Sequence, residues 1–247
     1  MGKLSGKYAV VTGGGQGIGR AIVEAYIKED VAGVVVLDYN TEVAEKMRGE
    51  VAPDRISVVG CDVSDRASVE AAFEQVSKLV PQVDILVNNA GITRDAMIHK
   101  MDYSNFERVL KTNLFGAFSC TQMVVPGMRE RKYGKIIFIG SVNSSGQYGQ
   151  SNYASSKAGI LGLCGSVAKE LAKYNVTANV IEPGYIITDI LNTVPQKMLD
   201  EWISLIPMRR MAMPAELGPV AVFLASDDSS FVTGNVIRAC GGSKMDL

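Results

Sequence analysis

The stretch Tyr8-Ala-Val-Val-Thr-Gly-Gly-Gly-Gln-Gly-Ile-Gly19, near the start of the chain, decides the fold. Residues 8–12 are apolar enough to form a strand that is buried on both faces. The glycines that follow allow a tight turn and let backbone N–H groups approach a phosphate group. A glycine-rich turn is a weak signal by itself, because a plain strand-to-helix connection uses the same residues, so its meaning depends on its surroundings.

Short apolar runs alternate with amphipathic stretches through most of the sequence. This alternation predicts a parallel sheet with helices on both faces, in a single domain over residues 1–247. Ser104 and Glu107 match a capping box, which would start a long helix toward Arg129. The segment 186–213 is irregular and rich in Met and Pro. Further helices are expected at 17–29, after Asn40 or Thr41, up to 79, at 151–174 and at 215–225, and strands at 8–12, 34–38, 56–60, 84–88, 135–140, 177–182 and 235–239.

The composition argues against several classes of protein. The chain has 247 residues, of which 47% are hydrophobic and 21% charged, and its formal net charge is −1. That balance argues against binding to nucleic acid or anionic lipid. Since no apolar run approaches the roughly 18 residues that span a bilayer, and no secretory signal segment is present, we expect a cytoplasmic protein without a membrane span. A basic cluster is either a solvated helix end or a docking surface for an acidic carrier or phosphate group; it comprises Arg129, Arg131, Lys132 and Lys135.

Cysteine and histidine usage narrows the chemistry further. Cysteines without C-x-x-C spacing are typical of reduced thiols rather than of a disulfide frame or a zinc site. His99 is the single histidine, and no motif places it beside a nucleophile. We therefore expect no metal site and no Ser-His-Asp hydrolase, with His99 as an ordinary loop or helix-edge residue. The cysteines are Cys61, Cys120, Cys164 and Cys240.

An acidic residue ends the second predicted strand, 19 residues beyond Gly19. This residue, Asp38, can accept hydrogen bonds from the ribose hydroxyls of an adenine dinucleotide and would repel a 2′-phosphate. Its neighbours Gln16 and Tyr39 offer no compensating positive charge. The pattern therefore favours NAD over NADP. The alternative interpretation of Asp38 is a turn-forming or helix-capping acid.

Together with later motifs, these residues resemble the short-chain dehydrogenase/reductase family over nearly the whole chain. Several independent motifs in the same order are more specific than any one of them. The resemblance implies an α/β, single-domain, Rossmann-type doubly wound parallel sheet of about seven strands. The matching features are Thr12-Gly-x-x-x-Gly-x-Gly19, Asp62-Val63, Asn88-Asn-Ala-Gly91, Asn113, Ser141, Tyr153-x-x-x-Lys157, Asn179-x-x-x-Pro-Gly184 and Thr188.

The resemblance implies four catalytic residues. Tyr153 would protonate a carbonyl oxygen as hydride arrives, or deprotonate the alcohol in reverse. Lys157, four residues later on the same helical face, would lower the pKa of Tyr153 from about 10 and hold the nicotinamide ribose. Ser141 would hydrogen-bond the substrate oxygen, and Asn113 would support a water chain that relays protons past Lys157.

The resemblance also implies a set of residues around the dinucleotide. The glycine turn would hold the pyrophosphate, Asp62 and Val63 the adenine, and the later residues the nicotinamide. The full set is Gly13, Gly15, Gln16, Gly17, Ile18, Gly19, Asp38, Asp62, Val63, Asn89, Ala90, Gly91, Tyr153, Lys157, Pro183, Gly184, Ile186 and Thr188.

Within the family, the sequence is most similar to the 3-oxoacyl-acyl-carrier-protein reductase branch. That branch usually has an Arg at position 16 for an NADP phosphate, whereas this chain has Gln16. Glu182 stands before Pro183 where the family usually has a small residue, and the sequence offers no account of it. Cys240 departs from the usual pattern near the C-terminus, in a region that the family uses for subunit packing.

These observations predict an oxidoreductase that reduces a 3-oxoacyl thioester, on coenzyme A or acyl carrier protein, or oxidises the 3-hydroxyacyl product. The alternatives are a dehydrogenase of a steroid, sugar or other ring alcohol, and a non-catalytic dinucleotide-sensing subunit. The resemblance further implies a homotetramer. The segment 186–213 is interpreted either as a lid over the substrate or as a helical subdomain with its own core.

Overall fold

Seven parallel strands form one sheet within residues 2–187 and 195–244, the part of the chain that the computed structural model describes. The strands are β1 (Tyr8–Thr12), β2 (Gly33–Asp38), β3 (Ile56–Gly60), β4 (Ile85–Asn88), β5 (Gly134–Ile139), β6 (Val176–Pro183) and β7 (Val236–Ala239). Their order across the sheet is β3-β2-β1-β4-β5-β6-β7, and every neighbouring pair is parallel. This is the predicted Rossmann-type doubly wound sheet, so the fold prediction is confirmed.

Helices cover both faces of the sheet. In the described ranges they are α1 (Gly17–Lys28), α2 (Thr41–Val51), α3 (Arg66–Leu79), α4 (Tyr103–Leu110), α5 (Gly116–Arg131), α6 (Ser151–Leu171), α7 (Gln196–Ser204) and α8 (Gly218–Ala225). One hydrophobic core joins the sheet to α3, α5 and α6, and a second joins it to α1, α2 and α8. Val10 of β1 belongs to the first core and Val11 to the second, which explains why that strand is apolar at successive positions.

The strand order reverses beside β1. The chain passes from β1 outward to β2 and β3, and then returns to place β4 on the other side of β1. Crossover helices on opposite faces leave a crevice at such a switch point, outside the carboxyl ends of the strands. The fold therefore directs attention to the residues that follow β1, β4, β5 and β6.

Three local predictions are wrong. The side chain of Asp102 accepts hydrogen bonds from the backbone nitrogen of Ser104 (2.8 Å) and from its hydroxyl (2.6 Å). Asp102 is therefore the N-cap and α4 begins at Tyr103, because the carboxylate makes charge-assisted hydrogen bonds with the first turn. The segment 186–213 is not wholly irregular, since it contains α7. The long helix toward Arg129 is also interrupted, by a π-helical turn at Lys111–Phe115.

Two leucines test where the core lies. Leu86 in β4 is fully buried, whereas Leu79 at the end of α3 is 48% exposed. We expect Leu86→Ala to lower the free energy of unfolding by about 2–5 kcal/mol, because a cavity remains in the sheet core. Leu79→Ala removes the same atoms and should cost about 1 kcal/mol or less. Urea unfolding at equal protein concentration measures both, and equal losses would contradict this placement of the core.

Candidate active site

A cleft of about 730 Å³ opens where the strands end. Parallel strands bring their carboxyl ends to one edge, so segments far apart in sequence meet there. Gly15, Gly17, Gly19 and Asn113 are not among its lining residues, and Thr188 lies outside the described residues. The predicted site residues that do line it are Gly13, Gln16, Ile18, Asp38, Asp62, Val63, Asn89, Ala90, Gly91, Ser141, Tyr153, Lys157, Pro183, Gly184 and Ile186.

The glycine turn brings α1 against the end of β1. Gly13 has a φ of +62° and donates its N–H to the carbonyl oxygen of Leu37 (2.7 Å). A Cβ on Gly19 would collide with the carbonyl oxygen of Gly13 and would lie 2.6 Å from Nδ2 of Asn89. Both positions therefore require glycine, one for its backbone conformation and the other for close approach.

The first turn of α1 fits an anionic group. Gln16 makes no side-chain cap hydrogen bond, and that turn carries no acidic residue. By contrast, Asn40 caps α2 and Asp65 caps α3 through their side chains. An N-terminus without a side-chain cap directs its backbone N–H groups and the positive end of the helix dipole outward. This arrangement would suit the pyrophosphate of a dinucleotide.

Asp38 is fixed beside the glycine turn. Its Oδ2 accepts a hydrogen bond from the backbone nitrogen of Gly15 (2.9 Å), and its Oδ1 accepts one from that of Asn40 (3.0 Å). Because a carboxylate has about four acceptor sites, two remain for a ligand. The neighbouring lining residues Gln16 and Tyr39 carry no charge, so neither of them compensates the carboxylate.

The loop after β4 is tied to the same turn. The hydroxyl of Thr12 accepts hydrogen bonds from the backbone nitrogens of Asn89 and Ala90, both at 3.0 Å. Nδ2 of Asn89 in turn donates to the carbonyl oxygens of Thr12 and Gly13, both at 2.9 Å. Asn89 therefore sets the shape of the cleft with its side chain, and only its remaining atoms are available to a ligand.

Ser141 and Tyr153 come from the two ends of the connection between β5 and α6. Ser141 is buried, and its Oγ accepts a hydrogen bond from the backbone nitrogen of Asn143 (3.1 Å), so that its own proton can act as a donor toward Tyr153 or a ligand. Tyr153 lies in the first turn of α6. Burial raises the pKa of Tyr153, and a hydrogen bond with Ser141 acts in the opposite direction. The two hydroxyls are thus placed to meet one substrate oxygen.

Lys157 lies one turn further along α6. Its Nζ donates to the carbonyl oxygen of Ile139 (2.7 Å) and lies 5.6 Å from the centroid of the Tyr153 ring. Burial lowers the pKa of Lys157 to about 8. Sequence reasoning predicts that Lys157 lowers the pKa of Tyr153, but in the chain by itself burial of the phenol dominates and raises it.

Asn113 sits in the π-helical turn and is buried. Its Oδ1 accepts from the backbone nitrogen of Ile92 (2.8 Å), and its Nδ2 donates to the carbonyl oxygen of Ile92 (3.1 Å) and to the hydroxyl of Ser156 (3.0 Å). A Cβ on Gly91 would lie 3.3 Å from Oδ1 of Asn113 and 3.6 Å from Nζ of Lys157. The side chain of Asn113 therefore joins the loop after β4 to α6, directly behind Lys157.

Sequence reasoning missed part of the site. Arg94, Arg108 and Thr112 also line the cleft. Arg94 follows the Asn-Ala-Gly motif by three residues, and Thr112 directly precedes Asn113, so proximity to known motifs was the available signal. The backbone oxygen of Arg94 accepts from Nδ2 of Asn152 (2.8 Å), which connects that loop to α6.

The segment after Pro183 returns to the cleft through backbone pairing. Ile187 donates its N–H to Ala212 (2.8 Å), and Ala212 donates to Tyr185 (3.0 Å). Trp202 of α7 stacks on Tyr185 with ring centroids 5.7 Å apart. Since no residue of α7 is buried, this helix does not build a core of its own. Ile190, Leu191 and Val194, which the sequence places in the same segment, lie outside the described residues.

The predicted basic cluster lies away from the cleft. It runs from the last turn of α5 to the start of β5, where the strands begin rather than end. Arg129 donates a hydrogen bond to the hydroxyl of Tyr174, Arg131 donates one to the carbonyl oxygen of Val83, and Lys135 is buried.

His99 is exposed in a 3-10 turn. Within the described ranges no cluster of metal-binding side chains occurs, and none of the helices is both long and apolar enough to cross a bilayer.

Comparison with known proteins decides the family. A model of the short chain dehydrogenase family matches residues 7–199. The chain belongs to that family. It is 41% identical to the 3-oxoacyl-acyl-carrier-protein reductase MabA of Mycobacterium bovis, over 96% of this chain and 92% of that protein. It is 42% identical to an acetoacetyl-CoA reductase of Shinella zoogloeoides, over 96% and 98%.

A solved structure extends the comparison. A protein of Agrobacterium tumefaciens proposed to be a gluconate dehydrogenase superposes with a TM-score of 0.95, at 31% identity over 99% of this chain and 98% of that one. The chain is thus a short-chain dehydrogenase, an oxidoreductase that acts on a carbonyl or alcohol group with a nicotinamide dinucleotide.

The lowered pKa of Lys157 has a measurable consequence. Between its folded value of about 8 and its ordinary value of 10.5, the folded chain binds fewer protons at Lys157 than the unfolded chain. This contribution to the free energy of unfolding therefore grows as the pH rises from 8 to 10, and is lost as the pH falls through 8. Urea unfolding of wild type and Lys157→Met should show a steeper rise for wild type. The exposed Lys78→Met should keep the wild-type slope, and parallel curves for Lys157→Met would contradict the burial argument.

Proposed function

We propose that the chain is an NAD(H)-dependent reductase of 3-oxoacyl thioesters, or equivalently a 3-hydroxyacyl dehydrogenase. The observation that carries the cofactor choice is the carboxylate of Asp38, fixed by two backbone N–H groups at the end of β2. The names of the 3-oxoacyl-acyl-carrier-protein and acetoacetyl-CoA reductases, both about 40% identical, support the substrate class. The expected assembly is a cytoplasmic homotetramer of one domain, on the strength of the family resemblance.

Four side chains would carry the reaction. Nicotinamide dinucleotide, when bound, supplies or accepts the hydride. Ser141 would donate a hydrogen bond from its hydroxyl to the carbonyl oxygen while keeping its proton, since its own oxygen already accepts from Asn143. Tyr153 transfers its phenolic proton to that same oxygen, and the ammonium of Lys157 stabilises the phenolate that results.

The contacts of Lys157 and Asn113, behind Ser141 and Tyr153, would support the supply of protons to Tyr153. Lys157 is held by the carbonyl oxygen of Ile139, so its charge stays next to the Tyr153 ring. Asn113 keeps the loop after β4 and the helix α6 at a constant separation around Lys157. In our proposal Asn113 contributes to the water relay by holding these walls, and it does not exchange protons itself.

Two observations near Pro183 and at the cleft support an acyl thioester as the substrate, and a third favours a sugar acid as the alternative. Tyr185, which directly follows Gly184, stacks on Trp202, and this aromatic pair would suit an aliphatic chain that extends beyond the cleft lining. Arg94 and Arg108 provide positive charge at the cleft for a phosphate-bearing carrier. The structural similarity to a proposed gluconate dehydrogenase favours a sugar acid as the alternative substrate.

A substrate panel tests the proposal. Acetoacetyl-CoA, acetoacetyl-acyl carrier protein, 5-ketogluconate and a steroid ketone are each assayed by the absorbance of NADH. We expect a thioester to give the highest kcat/KM, and a higher value for the sugar acid would overturn this choice.

Tyr153→Phe should lower kcat by about 100-fold or more, because proton transfer is lost. The exposed Tyr103→Phe serves as the matched control and should behave as wild type.

Cofactor preference is tested at Asp38. We expect Asp38→Ala to lower kcat/KM for NADH by about tenfold, since a hydrogen bond to a charged group is worth about 1.5–3 kcal/mol. The same change should raise the use of NADPH, because the repulsion of its 2′-phosphate disappears. Asp54→Ala, at an exposed acid on the opposite edge of the sheet, should change neither. A wild type that works faster with NADPH at equal concentration would contradict the NAD preference.

A further inference from the structure

Glu182 is a buried carboxylate that the mechanism above does not use. It is the penultimate residue of β6 and is 0% exposed. Placing an ionised carboxylate in a protein interior is costly unless it is paired and hydrogen-bonded. A Cβ on Gly140 would lie 3.1 Å from Cγ of Glu182, so the glycine directly before Ser141 leaves room for this side chain.

Three segments supply partners for this carboxylate. Oε1 of Glu182 accepts a hydrogen bond from the hydroxyl of Ser144 (2.5 Å). Oε2 lies 3.3 Å from Nε of Arg238 in β7 and 3.5 Å from Nζ of Lys244. Lys244 also donates to the hydroxyl of Ser144 (3.1 Å). The carboxylate thus connects β6 to the turn after β5, to β7 and to the C-terminal part of the described chain.

The turn that Glu182 holds is the one that carries Ser141. Ser144 and Ser141 occupy the same 3-10 turn, in which the backbone nitrogen of Ser144 donates to the carbonyl oxygen of Ser141 (3.0 Å). Oγ of Ser141 accepts from Asn143 in that turn as well. A shift of the turn would therefore move the hydroxyl of Ser141 relative to Tyr153, which is attached to a different element.

We propose that Glu182 is a positioning residue, which acts through Ser144 to hold the hydroxyl of Ser141 in register with Tyr153. The inference rests on the proposed function, since it takes Ser141 and Tyr153 as the groups that meet the substrate oxygen. Arg238 and Lys244 balance the charge of the Glu182 carboxylate, so the buried carboxylate can remain ionised while it holds Ser144.

The pH dependence of alcohol oxidation distinguishes a positioning role of Glu182 from a merely structural one. A merely structural role would leave the pKa of Tyr153 unchanged. The hydrogen bond with Ser141 lowers the pKa of Tyr153, while burial and the carboxylate of Asp95 raise it. The ammonium of Lys157 faces the ring from α6. If Ser141 shifts away, the pKa of Tyr153 rises, and the rising limb of the rate of alcohol oxidation moves to higher pH.

Ser144→Ala is the main test, because it removes the contact with little change in volume. We expect kcat to fall about tenfold, as a small displacement of a reacting group costs this much or more. The limb of the oxidation profile should move to higher pH, and the dissociation constant of NADH, measured by fluorescence, should stay within about twofold of wild type, since cofactor contacts elsewhere remain. Glu182→Gln keeps an acceptor for Ser144 and should retain the wild-type limb, with a lower Tm because Arg238 and Lys244 lose their counter-charge.

Ser229→Ala is the matched control. Ser229 is also fully buried and hydrogen-bonded, but it lies near Lys135 at the start of β5, away from the cleft. Its removal should lower the Tm without changing kcat or the pH limb. The inference would be overturned if Ser144→Ala kept the wild-type kcat and the wild-type pH dependence of alcohol oxidation. It would also be overturned if Ser144→Ala and Ser229→Ala changed Tm, kcat and the pH dependence in the same way. Tyr153→Phe is assayed alongside: its retention of turnover would refute the proposed function itself, whereas its loss with an unaffected Ser144→Ala refutes only the role of Glu182.

Discussion

The hydrogen bonds between Thr12 and the loop after β4 are the interaction on which the rest of the site depends. At the switch point β1 and β4 are neighbours, but their crossover helices leave on opposite faces. Without a tie, the turns after these strands would diverge. The hydroxyl of Thr12 accepts from Asn89 and Ala90, and Asn89 returns two bonds to the glycine turn. The cleft can therefore have rigid walls although loops form most of its lining.

Two buried charges lie near the hydroxyls of Ser141 and Tyr153, and the protein accommodates them differently. Lys157 has one carbonyl partner, and its burial lowers its pKa to about 8, so that the protein tolerates its charge near neutral pH at some cost in stability. Glu182 instead has a hydroxyl and two cations around it. The first arrangement leaves a charge available to a reacting group, whereas the second consumes its charge in contacts and is suited to holding structure.

The sequence predicts the sheet and most of the lining of the cleft because periodicity and glycine spacing are local signals. The strands at 8–12 and 56–60 agree with the structure to the residue. The sequence pattern at Ser104 and Glu107 resembles a capping box, whereas Asp102, two residues earlier, is the residue whose side chain caps the helix. The contacts of Glu182 could not be predicted, since its partners Ser144, Arg238 and Lys244 are brought together only by the fold.

The two ends of the cleft are held by different kinds of contact. This difference explains why the residues indicate a particular cofactor more specifically than a particular substrate. Asp38 is held by backbone N–H groups of its own turn and of the glycine turn, so these contacts depend on the course of the backbone. The region after Pro183 depends instead on side chains of connecting segments, such as the stack of Tyr185 on Trp202. Such contacts change with single substitutions while the sheet stays the same. Relatives of nearly equal similarity can therefore carry the names of reductases for different acyl carriers.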